Sequence, residues 1–130
     1  MKILVLEDAI FKREQITDFL KEKNIPYQVI EYLNPALKYV FESKEEISGI
    51  ILDLGLQLFK DAPETYSLYR GLDLVYELAR TNLEIPVLIN SSTDVGMLTD
   101  YPFVYGQRTK VNNYQILEDF INFLKQNEKR

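Results

Sequence analysis

The sequence contains no cysteine, no histidine and no tryptophan. Without cysteine, the chain can form neither a disulfide nor a thiolate metal site, and it has no cysteine nucleophile. Without histidine, it has no imidazole ligand for zinc and no histidine base of the kind that serine hydrolases use. The chemistry of any site must therefore come from carboxylates, lysine, arginine, hydroxyls, amides and the backbone.

Basic charge and long apolar runs are also scarce. The 15 Lys and Arg residues are outnumbered by 20 Asp and Glu residues, which gives a net charge of −5. This balance argues against a nucleic-acid or anionic-membrane surface and suits a divalent-cation site. The apolar run that follows Lys2 is shorter than a signal-peptide core, and no run approaches a membrane span. We therefore expect a cytoplasmic protein with no membrane contact.

The length and composition are those of one ordinary globular domain. A chain of 130 residues buries roughly two thirds of the surface that it exposes when unfolded, so it can fold without disulfides or structural metals. No repeat, linker or low-complexity tract divides the sequence. We expect residues 1–130 to form a single domain with no output domain.

Short aliphatic runs alternate with amphipathic helical patterns along the chain. The patterns predict helices over 9–23, from Asn34-Pro35 as N-cap and first helical residue, over 71–80, and after a cap at Asn112 or Asn113. The aliphatic runs predict five strands, at residues 3–6, 27–33, 49–54, 86–90 and 103–107.

This alternation predicts an α/β fold with a doubly wound, five-stranded parallel sheet and helices on both faces. The common strand order for such a sheet is 2-1-3-4-5. Ligands bind such sheets at the carboxyl ends of the strands, near the switch point between the first and third strands.

Polar residues follow these predicted strands at the same edge. Glu7 and Asp8 follow the first strand, and Asp53 ends the third, which is its neighbour. Three carboxylates that converge repel one another, and a hard divalent cation such as Mg²⁺ would relieve the repulsion. Ser91 and Lys110 follow the fourth and fifth strands. A cation, a hydroxyl and an ammonium group around one carboxylate can hold a phosphoryl group on it.

Each of these residues also has a purely structural explanation. An acidic pair is favoured at a helix N-terminus, an aspartate in a turn, a serine as an N-cap and a lysine in solvent. Their occurrence together at one edge, in this chain order, favours a site.

The segments that carry these residues resemble response-regulator receiver domains of two-component signalling, which have a flavodoxin-like fold. The segments are KILVLEDAIFKREQITDFL, GIILDLGL, GLDLVYELAR and IPVLINSS. The resemblance implies a Mg²⁺ site formed by Glu7, Asp8, Asp53 and the backbone carbonyl of Gly55. It also implies that Asp53 is the phosphorylated residue, with Ser91 and Lys110 as partners of the phosphoryl group.

The implied function is that of a single-domain response regulator rather than an enzyme. Asp53 would accept a phosphoryl group from a phosphohistidine on a histidine kinase or phosphotransfer protein. The signal would pass on through a phosphorylation-dependent contact with another protein, made by a monomer or weak homodimer. A metal-dependent phosphatase or nuclease ranks last, because no second acid is placed to activate water.

The sequence departs from the family pattern after the fourth strand. Val111 stands where a cis proline normally follows the lysine, and Gln107 stands where an aromatic switch residue is frequent. If Tyr105 replaces that aromatic residue, Arg108 becomes the alternative to Lys110 for the cation. The segment 91–110 is short, so its helix should be small or distorted. These departures motivate an alternative function: a receiver-like interaction module that works without phosphorylation.

The loop at residues 54–70 is unusually long. Loops of this length are commonly functional or disordered, and its apolar residues Leu58, Phe59, Tyr66 and Tyr69 make disorder the poorer explanation. The aromatic residues either fold back on the third helix or form a lid or partner-docking element beside Asp53.

Overall fold

The strands form one parallel sheet in the order β2-β1-β3-β4-β5. The structure, a computed structural model, describes residues 1–60, 71–92 and 101–128. The strands are β1 (Ile3–Leu6), β2 (Tyr27–Ile30), β3 (Gly49–Leu52), β4 (Val87–Asn90) and β5 (Val104–Arg108). This topology confirms the predicted doubly wound α/β fold.

Four α-helices lie in the described parts of the chain. They are α1 (Ile10–Glu22), α2 (Leu33–Ser43), α3 (Leu72–Arg80) and α4 (Tyr114–Glu128), and a short 3₁₀ helix (Lys44–Glu46) follows α2. The small helix predicted between β4 and β5 would fall largely on residues 93–100, which lie outside the described residues. None of the described helices has the length and hydrophobicity needed to cross a membrane.

Two apolar cores cover the two faces of the sheet. Every residue of β1, β3 and β4 is buried, which is why these strands are continuous aliphatic runs. One core includes Leu6, Leu52 and Ile89 of the sheet with residues of α2 and α3. The other includes Val5, Ile51 and Leu88 with residues of α1 and α4. The apolar stripe of α4 is buried in this second core: Leu117, Phe120, Ile121 and Leu124.

The start of α2 differs from the prediction. The helix begins at Leu33 with Tyr32 as its N-cap, so the prediction of Asn34 as the cap was wrong. The N–H groups of Leu33 and Asn34 donate to the carbonyls of Gln57 and Leu58, at 2.8 Å and 2.9 Å. The free N–H groups of the first turn are therefore satisfied by a distant loop, and no side-chain cap is needed.

The start of α4 follows the prediction. The side-chain oxygen of Asn113 accepts a hydrogen bond from the N–H of Ile116, at 3.3 Å. This is the geometry of an N-cap, and it selects Asn113 from the two candidates.

Gly71 lies against the backbone at the end of β3. A Cβ atom at this position would lie 2.4 Å from the carbonyl oxygen of Asp53 and 2.8 Å from the Cα of Leu54. Backbone atoms cannot yield as a flexible side chain can, so we expect Gly71→Ala to lower the free energy of unfolding by about 1–3 kcal/mol. Urea denaturation measures this change.

Gly106 of β5 provides the matched control. A Cβ atom there would meet only the Ile116 side chain, at 3.8 Å, which is ordinary contact. Gly106→Ala should change stability by no more than about 0.5 kcal/mol. Equal effects of the two substitutions would contradict the steric explanation.

Candidate functional site

The register of the sheet aligns polar residues at the carboxyl ends of four neighbouring strands. Leu6 pairs with Leu52, and Leu52 pairs with Ile89. The residues that follow Leu6, Leu52 and Ile89 are polar, and so is the β5 residue that pairs with the last of them. The polar row defined in this way consists of Glu7, Asp53, Asn90 and Arg108, the last two being direct partners.

The side chains of the polar row share one face of the sheet. Side chains alternate along a strand, and the residues two positions earlier, Val5, Ile51 and Leu88, belong to the core beneath α1 and α4. All four members are buried, with exposed fractions from 1% for Glu7 to 7% for Asp53. Buried polar groups are costly unless they are paired, so the partners of this row decide what it can do.

The acidic end of the row contains the predicted metal ligands. Glu7, Asp8 and Asp53 each offer a carboxylate oxygen, and these oxygens lie within 4.8 Å of one another. Asp8 is exposed, whereas the other two are buried. One Glu7 oxygen accepts the N–H of Ala9 at 3.2 Å, and the other, Oε1, is buried without a hydrogen-bond partner.

Burial and the neighbouring carboxylates disfavour the charged forms of Glu7 and Asp53. Burial, and then the charge of Asp53, raise the pKa of Glu7 to about 8. Burial also raises the pKa of Asp53, and this rise is opposed by a hydrogen bond with Glu7, by the charge of Lys12 and by the N–H of Gly55. When Glu7 is protonated, its carboxyl group can donate a hydrogen bond to Asp53. When both groups are ionised, neither can donate, and Oε1 of Glu7 has no partner.

The same features fit a divalent cation. An octahedral Mg²⁺ site commonly uses a few carboxylates and retains several waters. The three converging oxygens and the unpartnered Glu7 Oε1 match that donor set, since a cation would remove both the repulsion and the unsatisfied lone pairs. Glu7, Asp8 and Asp53 would hold the ion. The carbonyl of Gly55 remains a predicted fourth ligand.

The basic end of the row is tied to the turn before α4. Nη1 of Arg108 donates to Oδ1 of Asn90 at 3.0 Å, Nε donates to the carbonyl of Asn113 at 3.0 Å, and Nη2 donates to the carbonyl of Val111. The guanidinium carbon lies 5.4 Å from the ring centre of Tyr114. Burial lowers the pKa of Arg108 from its usual value. Arg108 therefore holds the β5–α4 turn together.

This Asn90–Arg108 pair was only partly visible in the sequence. The sequence indicates Arg108 only as an alternative cation, and it predicts no role for Asn90. The available signal is Asn90, a polar residue at the end of a fourth strand that is otherwise aliphatic. The partners of Arg108 come from residues far apart in the chain, so their contacts could not be deduced locally.

Two predicted partners of a phosphoryl group lie at the same edge in different settings. Ser91 is half-buried, and its N–H donates to the carbonyl of Arg108 at 3.2 Å. Lys110 is exposed in the turn after β5, where its carbonyl accepts the N–H of Asn113 at 3.1 Å. The peptide before Val111 is trans, as are the other peptides in the described ranges. The roles of Ser91 and Lys110 stay predictions.

Gln107 and Tyr105, the two candidates for the switch position, contact different parts of the structure. The side-chain amide of Gln107 donates to the carbonyl of Ser91 at 3.1 Å. The ring of Tyr105 packs on α4, with ring centres 5.0 Å from Phe123 and 5.3 Å from Phe120. Tyr105 and Phe123 are both exposed, so this face of β5 and α4 presents aromatic surface.

The described residues of the loop after Asp53 contact the core and the start of α2. Leu54 and Leu56 are buried in the core beneath α2 and α3, and Gln57 forms a parallel bridge with Tyr32. Leu58 packs against the same core, whereas Phe59 is about half exposed, at 48%. Tyr66 and Tyr69 of the predicted aromatic set lie outside the described residues.

Comparisons with known proteins identify this fold. A signal receiver domain from Vibrio parahaemolyticus is similar, with TM-score 0.76, 19% identity and coverage of 98% of this chain and 92% of that chain. The receiver domain of Francisella response regulator 1452 gives TM-score 0.74, 20% identity and 98% coverage of both chains. A response regulator protein of Thermotoga maritima in complex with Mg²⁺ and BeF gives TM-score 0.71 and 19% identity, with coverage of 95% of this chain and 97% of that chain. No family model matches the sequence, and no curated protein matches it.

The chain therefore has the fold of response-regulator receiver domains along nearly its whole length. The predicted resemblance to that family is confirmed at the level of the fold.

Proposed function

We propose that this chain is a phosphorylatable receiver of a two-component system, with Asp53 as the phosphoryl acceptor and residues 1–130 acting as one cytoplasmic unit. Receiver domains are signalling modules rather than classic enzymes. The observation that carries the proposal is the convergence of Glu7, Asp8 and Asp53 within 4.8 Å at the carboxyl edge of a receiver-type sheet. Such convergence is unfavourable for a metal-free protein, and a function that binds a cation explains it.

The phosphoryl donor would be a phosphohistidine on a histidine kinase or phosphotransfer protein. This histidine must belong to another molecule, because the chain has no histidine of its own. The phosphorus–nitrogen bond of the donor breaks as an Asp53 oxygen bonds to phosphorus. The imidazole leaves with the electron pair and remains on the donor protein. Bound Mg²⁺ would neutralise phosphoryl oxygens, while the N–H of Gly55 orients the Asp53 carboxylate. The hydroxyl of Ser91 would bond a phosphoryl oxygen.

The signal would then reach a partner protein through the face formed by β5 and α4. Tyr105 and Phe123 of this face pack on each other and are exposed. A change in the β4 and β5 ends on phosphorylation would reach this face directly, because Ser91 and Arg108 are hydrogen-bonded neighbours. The chain would act as a monomer or a weak homodimer.

A titration with Mg²⁺ followed by beryllofluoride, a phosphoryl mimic, tests this function. We expect saturable amide shifts at Glu7, Asp8 and Asp53 with Mg²⁺, and further shifts at Ser91 and β5 with beryllofluoride. NMR measures both steps. Asp53→Asn should abolish the second step.

The matched control is Asp73→Asn, which removes an exposed carboxylate at the start of α3 and should leave both responses intact. Absence of a beryllofluoride response in the unmodified protein would overturn phosphoryl acceptance by Asp53.

The second candidate is a receiver-like interaction module that works without phosphorylation. The observation that favours it is the engagement of Arg108 with Asn90, Val111 and Asn113, which fixes the turn in one conformation. In that case Asp53→Asn would leave partner binding intact. Loss of binding on this substitution would exclude the module.

A further inference from the structure

A cleft opens beside the polar row, between α1 and the ends of β4 and β5. Its volume is about 240 Å³ including its open side. Two cations line it, Lys12 and Arg108, together with the polar residues Asn90, Ser91 and Thr109. No carboxylate is among the lining residues, although acids outnumber bases in the whole chain. An anion bound in the cleft would reduce the electrostatic repulsion between these two cations.

Lys12 is an unusual residue for its position in the helix. It lies in the first turn of α1, where the helix dipole disfavours a cation, and that turn contains no acidic residue. The side chain is half-buried, and in the described ranges Lys12 forms no ion pair within 4.0 Å. Helix stability therefore does not account for a lysine here.

Lys12 is also the cation whose charge reaches the acidic end of the row. It opposes the rise in the pKa of Asp53 and of Glu7, the two buried carboxylates. Lys12 also lines the same cleft as Ser91, which places it at the edge of the sheet where the polar row lies.

The two other candidate cations are differently engaged. All three guanidinium nitrogens of Arg108 donate to Asn90 and to two carbonyls of the turn. Lys110 is exposed and does not line the cleft.

We infer that Lys12, on α1, is the cation that contacts a phosphoryl group carried by Asp53. This inference rests on the proposed function of Asp53 and assigns the role that sequence reasoning left between Lys110 and Arg108. Lys12 lines the cleft from α1, and Ser91 lines it directly after β4, so a phosphoryl group in the cleft would meet a charge and a hydroxyl. A cation at this place has opposite effects on the two ligands of the site: it repels Mg²⁺ and attracts the anionic phosphoryl group.

The test measures these two effects separately in Lys12→Met, which keeps most of the length of the unbranched side chain and removes its charge. We expect the dissociation constant of beryllofluoride to rise at least about tenfold, and that of Mg²⁺ alone to fall about two- to fivefold. Titration of each ligand by NMR gives both constants. Lys12→Arg should restore beryllofluoride binding, and Lys110→Met should leave it within about twofold of the unmodified protein.

The outcomes distinguish this inference from the proposed function. Normal beryllofluoride binding by Lys12→Met, or its loss in Lys110→Met alone, would overturn the role of Lys12 and leave Asp53 as acceptor. Weaker binding of both beryllofluoride and Mg²⁺ by Lys12→Met would assign Lys12 a merely structural role, which would also overturn the inference. No beryllofluoride binding by the unmodified protein would overturn the proposed function itself, and this inference with it.

Discussion

Replacing Arg108 by methionine should lower the free energy of unfolding by about 2–4 kcal/mol. The substitution leaves the side-chain oxygen of Asn90 and the carbonyls of Val111 and Asn113 without their donor. A buried acceptor that loses its donor keeps its desolvation cost, about 1–3 kcal/mol for each group that water cannot reach. Methionine fills part of the volume, so the loss reports mainly on hydrogen bonding. Urea denaturation measures it.

Lys110→Met is the matched control, because it removes the same kind of charge from an exposed side chain of the same turn. We expect its stability to stay within about 0.5 kcal/mol of the unmodified protein. A double-mutant cycle with Asn90→Ala should give a coupling energy of about 1–2 kcal/mol between Asn90 and Arg108. Additive effects of the two substitutions would contradict a direct buried bond.

Replacing Glu7 by glutamine should stabilise the metal-free protein by about 2 kcal/mol at pH 8 and remove its stabilisation by Mg²⁺. Burial and the charge of Asp53 raise the pKa of Glu7 from 4.5 to about 8. A carboxyl group whose pKa is raised on folding contributes stability that is complete below pH 4.5 and is lost as the pH rises through about 8. Glutamine carries no charge at any of these pH values, so the variant should lack this part of the pH dependence.

Thermal unfolding between pH 5 and pH 9, with and without Mg²⁺, measures both effects. Glu45→Gln is the control, because Glu45 is an exposed carboxylate of the 3₁₀ helix after α2. It should change neither the pH dependence nor the response to Mg²⁺. A metal-free Glu7→Gln protein that is less stable than the unmodified one at pH 8 would contradict the repulsion that we assign to the cluster.

Most of the fold could be predicted from hydrophobic patterning. Continuous aliphatic runs identified β1, β3 and β4, because strands buried on both faces admit few polar residues. Alternation with amphipathic helices was enough to predict the parallel sheet and its order. The predicted ends were less accurate: β3 ends at Leu52 and β2 at Ile30. Aliphatic residues continue past both ends because they enter the core from a loop or a helix.

The helix starts show where local signals suffice. Asn113 caps α4 through its own side chain, so its role could be predicted from nearby sequence. The first N–H groups of α2 bond to Gln57 and Leu58, more than twenty residues away along the chain. A cap made by a distant backbone leaves no signal in the residues beside the helix, and Asn34-Pro35 therefore suggested the wrong start.

By itself, the sequence determined the fold class and placed three carboxylates at one edge of the sheet. Residue types and strand order are sufficient for this, because the carboxyl ends of parallel strands meet at one edge. Only the tertiary structure decided how the cations are used. The length of a side chain and the direction in which it leaves the backbone determine which partner it reaches. Arg108 turns to Asn90 and the turn before α4, Lys110 is exposed, and Lys12 of α1 lines the cleft beside the polar row.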